Sequence, residues 1–249
     1  MFGLAHLTML ALALVAPLLL GVVARVNPSF DRPIRLGLAG LLLGGWIGWF
    51  LLFWSRGWLT LNNGLPLNLC DWAAAILVIA LGTKRPFAYE LGYFWGLGGS
   101  LQGLITPDIA YDFPDPQFIF FAINHAGIIT ALLYLTFTGM RPRLSSMPKV
   151  AAASVVYAMV AGTADFLLHT NYGFLAAKPT NASVMDFLSP WPWYIPELVL
   201  IGLVSVLIYY APYLPQRTRA KHPDAAVTLS SPDGPSGAIG GEFARYTAR

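Results

Sequence analysis

Apolar stretches long enough to cross a lipid bilayer constrain this chain more than any other feature of its sequence. A spanning helix needs about 20 mostly apolar residues, and seven segments approach or meet that length: 4–24, 34–54, 66–82, 87–106, 117–139, 149–169 and 194–212. Charged residues make up only 11% of the 249 positions, against about 25% in a typical soluble domain. The sequence therefore predicts an all-α, polytopic membrane protein, a bundle of seven transmembrane helices.

The chain divides into two parts by composition. Residues 1–212 hold the seven apolar segments, and we predict that they form one transmembrane domain. Residues 213–249 include the run "SSPDGPSGAIGG", which is too small and polar to form a packed core, so we predict a disordered tail. The first apolar segment lacks the basic residues that begin a signal peptide, and we interpret it as a permanent helix.

Basic residues are distributed unequally between the two ends of the predicted helices. The connections on one side, with the start of the tail, carry eleven: Arg25, Arg32, Arg35, Lys84, Arg85, Arg141, Arg143, Lys149, Arg217, Arg219 and Lys221. The other side carries two, Arg56 and Lys178. Because basic loops stay in the cytoplasm, we predict an outside N-terminus and a cytoplasmic tail. The isoelectric point of about 9.0 follows from these loops, so no nucleic-acid partner is expected.

Polar side chains interrupt the apolar segments at a common depth. At the helical rise per residue, six of them lie about 20 to 24 Å from the predicted cytoplasmic surface: Cys70, Gln102, Asn124, His125, Asp165 and Glu197. Asn68 and Asp71 bracket Cys70. Polar residues inside a membrane are costly and serve function or pair with one another. We therefore predict a polar cavity in the outer half of the bundle, to which His6 and His169 could also contribute.

The lone cysteine is the leading candidate for chemistry. A single Cys70 excludes an internal disulfide and a cysteine-rich metal site. A thiol becomes a strong nucleophile beside a histidine, and His125 shares its predicted depth on another helix. The alternative is that Cys70 is a small buried apolar residue, as cysteine often is.

Other polar residues favour structural interpretations. Asp165 and His169 are four residues apart, so they share a helix face and could pair. A zinc site would need His6, His125, His169 and Asp165 together, and no HExxH-like spacing supports one. We therefore predict no metal and no cofactor.

Two further features are expected to serve folding. Glu90 is predicted to form an ion pair at the cytoplasmic rim with Lys84 or Arg85. Gly92, Gly96 and Gly99 follow one helix face, which is typical of close packing between membrane helices.

At these motifs the chain resembles the YwaF-like integral membrane proteins, which belong with the transmembrane protein 164 family. The matching stretches are "LPLNLCDW", "GYFWGLGGSLQGLITPD" and "FFAINHAGIITALLY", together with His6 and Glu197. The likeness spans roughly residues 1–212. It implies seven helices, and this compact chain is similar to the bacterial-type branch, so we expect the plasma membrane of a bacterium.

The resemblance also implies an activity. The eukaryotic branch of that family is associated with acyl transfer between phospholipids that depends on a cysteine and a histidine, which correspond here to Cys70 and His125. The leading hypothesis is therefore a membrane-embedded lipid acyltransferase acting on a phospholipid or fatty-acyl lipid. Asn68, Asp71, Asn124 or Gln102 would orient the histidine or donate to the oxyanion.

Two alternatives remain open. A transporter could use Asp71, Asp165 and Glu197 as a proton or cation relay, although the inner half offers no matching polar path. A ligand-binding sensor could report through its tail, which holds no recognisable signalling motif. The sequence does not indicate an oligomeric state.

Overall fold

The computed structural model describes residues 3–214 and is helical throughout, with no β-strand in that range. Eight α-helices follow one another: α1 (Leu4–Val26), α2 (Asp31–Ser55), α3 (Leu69–Thr83), α4 (Pro86–Trp95), α5 (Leu101–Ile105), α6 (Pro116–Phe137), α7 (Met147–Leu168) and α8 (Tyr194–Tyr210). A π-helical turn, Gly96–Ser100, joins α4 to α5. The predicted all-α class is confirmed. The predicted tail lies, from Pro215 onward, outside the described residues.

Five of the described helices are long and apolar enough to cross a membrane, namely α1, α2, α6, α7 and α8 with their adjoining turns. This composition identifies a membrane protein. The helix α3 is apolar but has only 15 residues, because residues 66–68, predicted as helix, lie in an irregular segment before it. The predicted segment 87–106 is a helix whose middle turn is π-helical, so its hydrogen bonding changes where its glycines cluster.

The helix α6 is the centre of the bundle. Of its most apolar stretch, 56% is buried inside the protein, against 11% for α8. α1, α2 and α3 pack on α6, and α4 packs mainly on α3. The fully buried Leu77 and Leu132 belong to this core. α7 and α8 lie at the periphery.

The predicted glycine face is confirmed as a packing surface. A Cβ atom at Gly92 would lie 2.6 Å from the Leu77 side chain of α3, and one at Gly96 would lie 2.5 Å from Leu132 of α6. Only hydrogen fits at these positions. The glycines therefore let α4 and the π-turn approach two neighbouring helices at once.

Charged residues near the C-terminal end of α3 form two networks, one around Asp31 and one around Glu90. Asp31 accepts hydrogen bonds from Arg35 Nε at 3.0 Å and from Tyr134 Oη at 3.0 Å, and it forms an ion pair with Lys84 Nζ at 2.8 Å. Lys84 has a left-handed backbone conformation, with φ of 53°, at the end of α3, and its ammonium pairs with Asp31 at the start of α2.

The predicted partner of Glu90 was wrong. Glu90 is fully buried, and its carboxylate accepts bonds from Arg143 Nε at 2.8 Å, Nη2 at 3.2 Å and backbone N–H at 3.0 Å. Lys84 is engaged by Asp31 instead. Glu90 therefore ties α4 to the connection between α6 and α7.

Candidate functional site

The polar motif around Cys70 begins the helix α3. Asn68 is the N-cap residue, and its backbone N–H donates to the Asp71 carboxylate at 3.0 Å. This is half of a capping box, in which a side chain three residues into the helix satisfies the cap. The Asn68 side-chain oxygen accepts from Gly173 N–H at 3.4 Å. Asn68 and Asp71 thus hold the first turn of α3 rather than remaining available to a ligand.

Cys70 lies in that first turn, one residue after the helix begins. Its thiol is free and half-buried. The first backbone N–H groups of a helix lack intrahelical partners, and they favour negative charge nearby. A cysteine at a helix N-terminus is one of the settings in which the thiolate form is stabilised. The neighbouring carboxylate of Asp71 opposes that effect.

His125 lies on α6 with one ring nitrogen occupied and the other available. Nδ1 is 3.2 Å from the Phe121 carbonyl oxygen, and the two rings stack at 4.0 Å between centroids. Because a carbonyl only accepts, Nδ1 carries the proton, and Nε2 keeps its lone pair. A Cβ at Gly103 would lie 3.1 Å from Nε2, so the available nitrogen lies against a residue without a side chain.

The π-turn and α5 connect the surroundings of Cys70 and His125. A Cβ atom placed on Gly99 would lie 2.8 Å from the side chain of Leu69, the residue before the cysteine. Gly103 contacts His125 in the same way. The two glycines are four residues apart, about 6 Å along a helix. Among the described residues no hydrogen bond joins Cys70 to His125. The structure therefore places His125, and Leu69 next to Cys70, against one short glycine-rich surface.

Asp165 organises the loop that covers the start of α3. Its Oδ1 atom accepts from Thr170 Oγ1 at 2.8 Å and from Tyr172 N–H at 2.7 Å. The Tyr172 hydroxyl then donates to the Leu61 carbonyl and accepts from Leu65 N–H at 3.0 Å. This chain of bonds links the end of α7 to the segment before α3. Burial raises the pKa of Tyr172, so its hydroxyl remains a neutral donor.

Several predicted cavity residues do not gather with Cys70. His169 is exposed in a left-handed conformation at the end of α7, where its backbone N–H donates to the Asp165 carbonyl. Among the described residues no hydrogen bond joins the two side chains. Gln102 is exposed. Asn124 is directed at α2, because its side-chain oxygen lies 2.7 Å from a Cβ built at Gly45.

Glu197 and His6 have structural contacts of their own. The Glu197 carboxylate accepts from the backbone N–H of Ser189 at 2.9 Å and from its hydroxyl at 2.5 Å, which fixes the loop before α8. The buried His6 is bonded through Nε2 to the Leu104 carbonyl at 2.9 Å. His6 and His125 therefore contact adjacent residues of α5. No group of three or more potential metal ligands occurs in the described part of the chain.

The sequence reasoning missed Gly103, Tyr157 and Ser100. Tyr157, Ala161 and Asp165 are buried at four-residue spacing along α7, a pattern that marks one helix face, so the position of Tyr157 was detectable. Gly103 lies in the same glycine-rich stretch as Gly92, Gly96 and Gly99, but it contacts the histidine rather than an apolar side chain.

These features define a class: an all-helical membrane protein with a half-buried cysteine in the first turn of one helix and a half-buried histidine against the short helix that follows a π-helical turn. The TMEM164 family model matches residues 1–210, and the chain belongs to that family. It is also 25% identical over 191 residues to an uncharacterised protein of Treponema pallidum (strain Nichols), covering 74% of this chain and 72% of that protein. No solved structure matches the chain.

Proposed function

We propose that this protein is a membrane-embedded lipid acyltransferase, or lipid-remodelling enzyme, in which Cys70 is the nucleophile and His125 is the general base. The observation that carries the proposal is the orientation of His125. Its Nδ1 atom is bonded to Phe121, and its Nε2 atom faces Gly103, in the glycine-rich run that also contacts Leu69 beside the cysteine. A base fixed in one tautomer by a backbone carbonyl is suited to accept a proton.

The reaction consists of two transfers of one acyl group. His125 Nε2 takes the thiol proton, and the sulfur of Cys70 attacks the ester carbonyl carbon of a phospholipid. The ester C–O bond breaks, His125 returns the proton to the leaving oxygen, and a lysophospholipid departs from a thioester on Cys70. An acceptor hydroxyl then gives its proton to His125 and attacks the thioester, which restores the thiol.

The lipid donor would enter sideways from the outer leaflet. The peripheral position of α8 supports this route, because Val199, Leu200 and Leu203 in its middle are each more than half exposed, at 59%, 62% and 54%. A cytosolic acyl donor would instead have to cross a largely apolar bundle, which is costly for a polar head group.

Seven spans with an outside N-terminus complete the proposal, in the plasma membrane of a bacterium. The 15 residues of α3 extend about 22 Å, and the four irregular residues before it add up to about 13 Å, together enough for a core about 30 Å thick. The excess of basic residues in alternate connections supports the orientation. A reporter fused after residue 220 should be active only in the cytoplasm, and activity of a secretion-dependent reporter there would contradict this topology.

The acyltransferase proposal is tested by trapping the thioester. Purified protein is incubated with phosphatidylcholine that carries an alkyne-labelled acyl chain, and adducts are detected after coupling to a fluorophore. We expect a hydroxylamine-sensitive adduct on the wild type and none on Cys70→Ala. Cys70→Ser serves as a second variant, in which any ester formed should resist neutral hydroxylamine.

The same preparations discriminate between an enzyme and an acidic relay. Asp165→Asn keeps an oxygen acceptor for Thr170 and Tyr172, so acyl transfer should persist. A transporter based on carboxylates would fail in Asp165→Asn and would continue to function in Cys70→Ala. An active Cys70→Ala variant in the lipid transfer assay would end the thioester mechanism.

A further inference from the structure

The buried hydroxyl of Tyr157 has no acceptor for its proton among the described residues. Its side chain is only 7% exposed, and Oη is among the few buried polar atoms left unsatisfied there. Burying a hydroxyl without a hydrogen bond is unfavourable, and such groups are rare in native proteins. An unpaired donor in a buried position is therefore a candidate to meet an acceptor that arrives with a ligand.

The neighbouring residues fix the position of this hydroxyl. The Tyr157 ring meets Trp72 edge-on at 5.4 Å and lies 6.2 Å from Trp95 between ring centroids. Its oxygen lies so close to Gly173 that no Cβ would fit there. The N–H of Gly173 donates to Asn68, the cap of α3. The hydroxyl thus lies beside the start of α3, within electrostatic range of Cys70.

The backbone at this point offers a second donor. The first backbone N–H groups of α3 that donate to the Asn68 carbonyl are those of Asp71 and Trp72. The N–H groups of Leu69 and Cys70 precede them and have no intrahelical acceptor, as the first amides of any helix do not. The amide of Leu69 lies beside the Tyr157 oxygen. Donors from a side chain and from the backbone therefore meet next to the thiol.

We propose that the Tyr157 hydroxyl and the backbone N–H of Cys70 form the oxyanion site of the acyl transfer. This inference rests on the proposed function. When the Cys70 sulfur bonds to the ester carbonyl carbon, the carbonyl π electrons move to oxygen, and the two donors bind that oxyanion. When the C–O bond breaks, the carbonyl re-forms and the charge leaves with the alkoxide, which takes the proton from His125.

The side chains predicted for this role are engaged or directed elsewhere. Asn68 accepts from Gly173, and Asp71 accepts from Asn68. Asn124 is directed at Gly45, and Gln102 is exposed. Tyr157 is a buried donor beside the first turn of α3 whose proton has no acceptor among the described residues.

The test compares Tyr157→Phe with a matched control, Tyr172→Phe. Both variants keep the ring and lose one hydroxyl, but the Tyr172 hydroxyl is bonded to Leu61 and Leu65. Two rates are measured on each protein in detergent: formation of the hydroxylamine-sensitive adduct from alkyne-labelled phosphatidylcholine, and alkylation of Cys70 by iodoacetamide. Alkylation develops no oxyanion, so it reports only the thiol and its accessibility.

For Tyr157→Phe we expect acyl-adduct formation to fall about 100-fold or more, as when one oxyanion donor is removed. Alkylation should stay within about twofold, because the thiol and its base are untouched. The melting temperature should change little, since the lost hydroxyl donates no hydrogen bond to the described residues. Tyr172→Phe should melt at a lower temperature and keep the wild-type ratio of the two rates.

Two results would overturn the role of Tyr157 alone. Adduct formation at the wild-type rate in Tyr157→Phe would show that its hydroxyl is not used. An equal fall in acylation and alkylation would assign it to positioning the thiol. Absence of any Cys70 adduct on the wild type would instead overturn the proposed function, and the oxyanion site with it.

Discussion

The two ends of α3 differ in how completely the polar groups around them are hydrogen-bonded. At its C-terminal end, Asp31 has three partners and the fully buried Glu90 accepts three hydrogen bonds from one arginine. Around its N-terminal end and on the adjoining helices, by contrast, four buried polar atoms have no hydrogen-bond partner within residues 3–214: Ser100 Oγ, Asn124 Oδ1, Tyr157 Oη and Asp165 Oδ2.

Under the proposed function, this difference separates charges that stabilise the fold from groups that would bind the lipid substrate. A buried charge is tolerated when it is paired and fully hydrogen-bonded, and the C-terminal end of α3 meets that condition. Unsatisfied polar atoms cost stability, and they persist where function requires them. Variants at the C-terminal end should therefore affect stability, and variants at the N-terminal end should affect turnover.

The largest effect is expected from Cys70 and His125. Cys70→Ala should reduce acyl transfer to background, and His125→Ala should reduce it about 100- to 10,000-fold, the usual contribution of a general base. The double variant should be little worse than Cys70→Ala, because the two residues act as a unit. Initial rates with labelled phosphatidylcholine, measured on the wild type, the two single variants and the double variant, complete this double-mutant cycle. Multiplicative losses in the double variant would show that His125 acts independently of the thiol.

The next effect concerns the paired end of the helix. Arg143→Ala should lower the free energy of unfolding by about 2 kcal/mol, because it leaves the Glu90 carboxylate buried without its cation. The half-exposed guanidinium, at 54%, and the retained backbone N–H keep the loss below the full value for a buried pair.

Thermal melting in detergent measures this loss, with two variants for comparison. Glu90→Gln should cost less, about 1 kcal/mol, because it removes the buried charge itself. Lys149→Ala, at an exposed position in the same region, should change little. Acyl transfer per folded molecule should be unchanged in all three. A loss of turnover without a loss of stability would break the distinction between the two ends.

A smaller effect tests the surface between Cys70 and His125. Gly103→Ala places a methyl group 3.1 Å from His125 Nε2, so the ring must shift by a few tenths of an ångström. We expect acyl transfer to fall about tenfold, since even 1 Å of misplacement can cost about 100-fold. Gly98→Ala is the control, because a Cβ there meets nothing within 4 Å. Equal activity of the two variants would show that the base does not work through this face.

The sequence was sufficient to predict the helices, because apolar length alone identifies a spanning segment. It also predicted that Cys70 and His125 line one polar cavity, which stays a prediction. It did not predict which polar side chains form hydrogen bonds to helix ends and loops and are therefore unavailable to a ligand. Asp71 and Asp165 accept backbone N–H groups from Asn68 and Tyr172, and such bonds depend on where helices end.

Depth along a helix was therefore a poor guide to the site. Asn124 and His125 share a level, yet successive residues of a helix are about 100° apart, and these two contact α2 and α5 respectively. The partner of Glu90 was mistaken for a similar reason. Arg143 is 53 positions away in the sequence, whereas the basic residues that are near in sequence are directed elsewhere or engaged.

The smallest effect concerns an ion pair outside the membrane-spanning helices. Arg56 donates two hydrogen bonds to Asp115 at 3.1 Å each. These bonds, with a further one from the Gln117 N–H, hold the pKa of Asp115 below its usual value. The pair therefore contributes stability above the unfolded pKa of about 3.9, and that contribution is lost as the pH falls through the lower, folded pKa. Arg56→Gln should melt slightly below the wild type from pH 7 to pH 5, and the melting temperatures of the two proteins should converge below about pH 4.

The control is Arg85→Gln, which removes the same charge from an exposed site that has no carboxylate partner in the described structure. Its melting temperature should not converge with that of the wild type in that range. Parallel curves for Arg56→Gln down to about pH 2.5 would show that Arg56 stabilises the protein through its position over the Trp58 ring, 4.7 Å away, rather than through Asp115.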